Sequence, residues 1–226
     1  MRALAETAGA FSVSHNPGAP IGPGEGEENW LELLINGLTF DLRGLAGGAA
    51  AEMPALRHRF GLEDAPDTVE AVSLAVGPHL AGGESMMPIV RSQLALALGL
   101  AALPGLVAVA WAPARSAMAV NYFKPLVSAW LEGGPFPALG LTAFTLALDG
   151  GLQSEGLAFL IGQELRLEPE LAEDRVAATK LAVRLVNELV EHGEVTGRLE
   201  MTGPDGAPLV LQPSANNTFV RVRAGE

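Results

Sequence analysis

Residues 92 to 114 carry no charge and are mostly Ala, Leu and Val. A stretch that long and that apolar has to be buried, either in lipid or in the protein's own core. Pro104-Gly105 cuts it in two, Gly99 weakens its first half, and its composition changes along its length, from Leu/Ala between Leu94 and Leu103 to an alternating strand-like run at Leu106, Val107, Val109 and Trp111. A buried helix, a tight turn and a buried strand account for that change better than a membrane span does. The sequence therefore predicts a globular protein without a membrane partner.

The rest of the composition agrees with a packed interior. Hydrophobic residues make up 49% of the 226 positions and aromatic residues 5%, so aliphatic side chains carry the core. A chain of this length buries about 70% of its unfolded surface, enough for one sizeable core or two small ones. That aliphatic content excludes a wholly disordered chain. There is no Cys, which removes disulfides, thiolate metal sites and thiol nucleophiles. Fourteen Lys and Arg stand against 26 Asp and Glu, a formal net charge of −12. Nucleic acid is thereby excluded as a general partner, since phosphate binding needs a basic face. Residues 1 to 20 hold no apolar run long enough for a secretory signal, so a cytoplasmic location is expected.

Residues 1 to 29 read as a flexible lead-in, rich in Gly, Pro, Glu and Asn from residue 14 onward, with one α+β domain expected over residues 30 to 226. Two short apolar runs, Trp30 to Ile35 and Leu38 to Leu42, flank Asn36-Gly37 and predict a hairpin. Arg57, His58 and Arg59 form a small basic island for which a short helix is expected between Met53 and Leu62. A strand from Thr68 to Val76, a helix from Met86 to Leu103 and a strand from Leu106 to Ala112 predict a parallel βαβ unit. Val120, Phe123, Val127, Trp130 and Leu131 mark one helical stripe over Ala117 to Leu131, with Pro125 inside it. Leu139 to Leu148 and Leu152 to Leu167 read as two long strands around Asp149-Gly150-Gly151, the second bent or bulged at Gly156 and Gly162. Pro169 opens the clearest helix, Glu170 to Glu191, with Ala178, Leu181, Ala182, Leu185 and Leu189 on its apolar face and Gly193 as its cap. Short strands over Val195 to Met201, Pro208 to Leu211 and Phe219 to Val222 complete the pattern. The fold class is α+β, with a mixed, largely antiparallel sheet, a βαβ unit and helices mainly on one face.

Catalytic signatures are missing. No Walker loop, dinucleotide fingerprint, zinc-protease motif or Gly-x-Ser-x-Gly elbow is present; Gly151 to Gly156, with Ser154 inside, misses the last of these by one residue of spacing. His15, His58, His79 and His192 each stand alone, and Glu188 with His192 reads as a solvated helix end, so neither a metal nor a cofactor is expected. Trp111, Arg115, Tyr122 and Phe123 follow the end of a predicted strand, where an Arg beside aromatic rings can grip an anionic or planar group. The plainer reading puts Trp111 and Phe123 in the core and Arg115 and Tyr122 on the surface. Glu164 lies opposite Leu165 and Leu167, where it pairs with Arg166 or solvent; the functional alternative places it over a cleft beside Gly156 and Gly162.

Ser154-Glu155-Gly156-Leu157 followed by Gly162, Glu164 and Leu165, together with Val107 to Pro113 and Tyr122-Phe123, resembles the bacterial family called domain of unknown function 4261 over roughly residues 68 to 192. Ser154 departs from the family's usual Thr, and Arg166 interrupts its acidic strand. Membership implies the α+β fold and no assigned activity. Two functions are open on the sequence. One is a non-enzymatic module acting on a protein partner or on itself as a homodimer. The other is a small-ligand binder or enzyme with a cleft near Trp111, Arg115, Tyr122 and Glu164.

Overall fold

The computed structural model describes residues 11–15, 30–45, 50–63 and 68–225. Helices and strands alternate in mixed and antiparallel sheets, which makes the protein an α+β fold. Contacts gather the chain into two compact units, one of residues 1–55, 61–109 and 118–132, the other of residues 56–60, 110–117 and 133–226. The sequence reading drew one domain from residue 30 to 226 and did not draw this division.

In the first unit, strands β1 (Ser12–His15), β2 (Trp30–Ile35), β3 (Leu38–Arg43) and β5 (Ser73–Val76) form an antiparallel sheet in the order β1-β2-β3-β5. Asn36 and Gly37 both take positive φ, 52° and 77°. A tight two-residue hairpin requires that, and it is why Asn-Gly is readable in sequence. Strand β1 corrects the expected lead-in, because Ser12 and Val13 pair with Leu34 and Leu33, and Phe11 joins a core of Leu33, Ile35, Phe40, Leu42, Ile89, Leu96 and Leu100. The remainder of that lead-in, residues 1–10 and 16–29, lies outside the described residues. Helix α1 (Met87–Leu100) supplies the last three of these core side chains, with Pro88 in its first turn, where no N–H is missed. The uncharged run is buried only in part, at Ser92, Leu94, Leu96, Leu100, Ala101, Trp111 and Ala114, and its strand β6 is half-buried rather than buried; among the described residues no helix is long and apolar enough to cross a membrane. Helix α2 (Val120–Leu131) buries Phe123, Val127 and Trp130 and carries Pro125 inside it.

The expected parallel βαβ unit does not form. Strand β5 adds to the hairpin, pairing antiparallel with β3 from Phe40↔Val76 to Arg43↔Ser73. The strand after α1, β6 (Ala108–Trp111), instead belongs to a three-stranded sheet in the order β4-β7-β6, with β4 at His58–Phe60 and β7 at Ser116–Ala119. A strand, a helix and a strand in succession do not fix which edges meet. Here a turn of a few residues joins β6 to β7 and takes up β6's pairing edge at little entropic cost. The expected helix at Met53 to Leu62 is the short strand β4, and Ala117 to Ala119, expected as helix, are strand.

The second unit is built on a six-stranded sheet, β11-β12-β13-β10-β9-β8, where β8 is Ala143–Leu146, β9 Leu152–Glu155, β10 Glu164–Leu167, β11 Leu199–Thr202, β12 Pro208–Pro213 and β13 Phe219–Ala224. All its pairs are antiparallel except β10 with β13. Between those two runs the long helix α5 (Arg175–His192), so the parallel crossover of this sheet includes α5. Asp174 caps α5 by accepting from the N–H groups of Val176 and Ala177, which is why the helix starts after the expected Glu170. Pro169 opens a separate 3-10 turn, Pro169–Leu171. Ala178, Ala182, Leu185, Val186 and Leu189 are buried on α5, and Gly193 ends it with φ 84°. Ahead of β8 lies α3 (Ala138–Leu141), where only strand was expected. The long second strand is also corrected: Leu152 to Leu167 is β9, a one-turn helix α4 (Leu157–Ile161) and β10. Gly156 and Gly162, at φ 102° and 80°, flank α4 and reverse the chain, so β9 and β10 pair with each other.

Candidate functional site

The turn between β6 and β7 places Arg115. Ala112–Ala114 form one 3-10 turn, and Arg115 closes it in the left-handed region at φ 47° and ψ 37°. For a side chain with a Cβ that conformation costs about 1 to 2 kcal/mol, and here it is offset by what it positions. The Arg115 carbonyl accepts from the N–H groups of Arg57 (2.8 Å) and His58 (3.1 Å). Its guanidinium donates through Nε and Nη2 to Glu155 Oε1. The other oxygen, Glu155 Oε2, meets His58 Nε2 at 3.2 Å. Glu155 is thus shared between a cation 40 residues before it and a ring 97 residues before it. Side chains of His58 and Glu155 are only 15% and 16% exposed, while Arg115 is 40% exposed, so the guanidinium is the accessible member.

Glu164 does not pair with Arg166, its expected partner. Its Oε2 accepts from Ser154 Oγ at 2.5 Å and from Leu157 N at 3.2 Å, and its Oε1 accepts from Gly156 N at 2.8 Å. These are the first donors of α4, which a carboxylate satisfies and whose dipole it complements. Ser154 is buried, and its hydroxyl oxygen also accepts from Leu165 N at 2.7 Å. Both functions of that hydroxyl are committed to the fold. Gly156 sits between the two carboxylates because its Cα lies against Ala114; a Cβ there would stand 2.7 Å from the Ala114 Cβ. The β6–β7 turn and the β9–α4 turn are therefore pressed together through a glycine.

Arg166 bonds instead to Asp149 and lies 3.6 Å from Glu168, which Arg221 Nε also reaches at 2.5 Å. Glu168 is held below the usual carboxylate range chiefly by the Arg221 hydrogen bond, aided by the charges of Arg221 and Arg166. Asp149 is likewise lowered, first by the Gly151 N–H and then by Arg166.

Of the four residues expected to share a cleft, three lie in the second unit: Trp111, Arg115 and Glu164. Trp111 is buried at 8% exposure, edge-on to Phe159 with ring centroids 5.5 Å apart, and its Nε1 has no hydrogen-bond partner. Tyr122 belongs to the first unit, 58% exposed on α2 with its ring against Gly61. The sequence reading missed His58 and Glu155 as partners of Arg115. Their one local trace was a basic island, Arg57 to Arg59, inside a chain of net charge −12.

The cluster fixes a histidine ring against a carboxylate, an arrangement that orients an imidazole for proton transfer. Among the described residues no hydroxyl is hydrogen-bonded to that ring, and no three His, Asp or Glu side chains gather to hold a metal. His15 tilts against Trp30, His79 meets Thr39, and Glu188 pairs with Arg184 rather than His192. An open depression elsewhere in the second unit is lined by Leu146, Gly150, Pro169, Glu170, Ala172, Glu173 and Arg175.

Beside that depression, β8 ends the order of the six-stranded sheet. Between Glu132 and Asp149 the chain carries no charge. Thr145 and Leu146 are exposed on β8, Leu139 is exposed on α3, and Leu148 is fully exposed just past the strand. The opposite edge, β11, has Glu200 within it, ion-paired to Arg198. In the first unit the outer strand β5 is covered where Gln93 Nε2 donates to the Leu74 carbonyl. No protein-family model, curated protein or solved structure matches this chain.

Proposed function

We propose that this protein is a non-enzymatic, cytoplasmic protein-interaction module that binds through the β8 edge of its second unit. One observation carries the reading: among the described residues β8 is an uncharged edge strand whose C-terminal half is exposed, with Leu146 on it and Leu148 just past it open to solvent. Soluble proteins ordinarily guard such an edge with Lys, Pro, a bulge or a covering element, because its free main-chain groups template pairing with another chain. Here β11 and β5 carry such devices and β8 does not. The polar side chains support the same reading, since Glu155, Glu164 and Ser154 are all hydrogen-bonded within the fold.

A second reading, a small-ligand binder or an enzyme, is favoured by the buried Trp111 Nε1 without a partner and by the accessible Arg115 guanidinium. Native mass spectrometry of the protein purified gently from its own source separates the two. The module reading expects a stoichiometric complex, with itself or another protein, that Leu146→Pro abolishes. A bound mass of a few hundred daltons that survives Leu146→Pro and is lost in Arg115→Ala would overturn it in favour of the second reading.

A further inference from the structure

We propose that the occupant of the β8 edge is an extended, apolar segment of another protein that carries one Lys or Arg, and that this basic side chain lies in the depression beside the edge. The inference rests on the interaction-module reading and names the chemistry of its partner. Only part of the edge is available, because Thr142 and Ala143 are buried whereas Thr145, Leu146 and Leu148 are exposed. Ala147 N bonds to Gly151 O at 2.8 Å, and Thr145 stands opposite Gln153. Antiparallel ladders alternate their bonding direction, so the N–H and C=O groups of Leu146 point away from β9 toward the open edge. A partner strand bonds to both of these groups and needs nothing from the buried half of β8.

Residues opposite each other across a ladder share a face, and Leu146 lines the depression together with Pro169, Glu170, Ala172, Glu173 and Arg175. The partner residue set against Leu146 therefore projects over that depression. The lining is apolar at Leu146, Pro169 and Ala172 and acidic at Glu170 and Glu173, both of them exposed. A long basic side chain matches both parts, since its methylene stem covers the apolar residues while its charge meets the carboxylates. Leu148, fully exposed just past the strand, offers an apolar contact to the segment's neighbouring residues.

Charge complementarity fixes both the sign and the number of the partner's charges. Asp149 is bonded to Arg166, and Glu168 to Arg221. Glu170 and Glu173 have no ion pair among the described residues. Arg221 feels the charge of Glu170, but Glu168 holds that guanidinium by a direct hydrogen bond. The depression thus presents two carboxylates and one guanidinium, Arg175, and a single added cation brings it to neutrality. An acidic segment meets two like charges there, and one with several cations meets Arg175. At −12 the whole chain also draws basic proteins at long range. Half of a short edge and one depression are small beside the roughly 800 Å² per partner of standard interfaces, so the binding is weak and reversible.

Fluorescence anisotropy of the purified full chain with three labelled peptides tests this. Each peptide is a valine–threonine strand of roughly eight residues, and they differ only at one central position, arginine, leucine or glutamate. The arginine peptide should bind best, the leucine peptide about tenfold more weakly and the glutamate peptide more weakly still, and the preference should fade as salt is raised. Glu170→Gln with Glu173→Gln should remove the arginine preference. Glu188→Gln with Glu191→Gln, the same change in net charge at the other end of α5, should leave it. Leu146→Pro removes an outward N–H at a position where an edge strand tolerates proline, and should abolish binding of all three peptides with an unchanged circular dichroism spectrum. Equal affinity for the three peptides, no binding of the arginine peptide at millimolar concentration, or a preference that both glutamine pairs remove alike, overturns the inference. If the chain forms a complex that Leu146→Pro abolishes and Glu170→Gln with Glu173→Gln leaves intact, the basic side chain is wrong and the module reading stands. A chain that neither binds the arginine peptide nor forms such a complex loses both.

Discussion

Glu155 and Glu164 end and begin neighbouring strands, nine residues apart, yet they are satisfied in opposite ways. Glu164 is held by fixed local donors, Ser154 Oγ and the N–H groups of Gly156 and Leu157, all within ten residues of it. Glu155 is held by two long side chains, Arg115 and His58, brought from 40 and 97 residues away. The first carboxylate completes a turn; the second ties a distant strand, β4, to the sheet. Local backbone donors are already positioned when the turn forms, so they lose little entropy on bonding. An ion pair of flexible side chains must order both partners and competes with water.

That contrast sets an order of expected effects. Gly156→Ala, between the two carboxylates, should be the most damaging. Its φ of 102° and the Ala114 atoms within 3.0 Å combine a left-handed backbone penalty with overpacking, about 3 kcal/mol or more together. Denaturant unfolding of the purified variant measures it, and a loss below that of an exposed-helix alanine would show that the two turns are not pressed together. Leu185→Ala supplies the yardstick for plain apolar burial. Leu185 is 1% exposed under α5, and a cavity there should cost about 2 to 5 kcal/mol; an unchanged melting curve would mean that a different face of α5 is buried.

Glu164→Ala is expected next, at about 2 kcal/mol, because it strands part-buried N–H donors of Gly156 and Leu157. Glu155→Ala should cost less, about 1 kcal/mol, since Arg115 is accessible and recovers water. Finding Glu155→Ala the more damaging of the two would reverse the comparison and make the β4 tether the keystone of the unit. The smallest effect is a pH dependence at Glu168. Its folded-state pKa is held below the usual carboxylate range, chiefly by the Arg221 hydrogen bond, so its contribution is complete above the unfolded value and fades as pH falls through the folded one. Wild type should therefore exceed Glu168→Gln in stability at neutral pH, and the gap should close in acid; a gap that widens on acidification would contradict the assigned pairing.

Elements that depend on near neighbours were readable. Asn36-Gly37 gave its hairpin because only a few residue types accept positive φ twice in succession. The division of residues 92 to 114 into a helix, a turn and a strand followed from the Pro104-Gly105 break, and α5 followed from its apolar spacing and Gly193. The strand-rich tail was likewise legible between its turn residues. What failed depended on neighbours distant in the chain. The βαβ unit was inferred from succession, but β5 found β3 and β6 found β7. Arg115 was singled out for its aromatic neighbours, while its observed partners, His58 and Glu155, share no local pattern with it. Glu164 was placed on the correct face of β10 and given the wrong partner, since Gly156 and Gly162 were read as a bend and not as the two ends of α4.

The sequence by itself determined the α+β class, the hairpin, the long helix and the absence of thiol chemistry. Each follows from backbone preference, side-chain periodicity or composition, which act within a few residues or over the whole chain at once. Only the tertiary structure decided which strands are neighbours, which carboxylate meets which cation, and that β8 is an edge. Those are long-range pairings among near-equivalent apolar strands, and several pairings satisfy the local pattern equally well. The choice among them is made by packing of the whole unit, and an edge strand differs from a central one only in what is absent beside it.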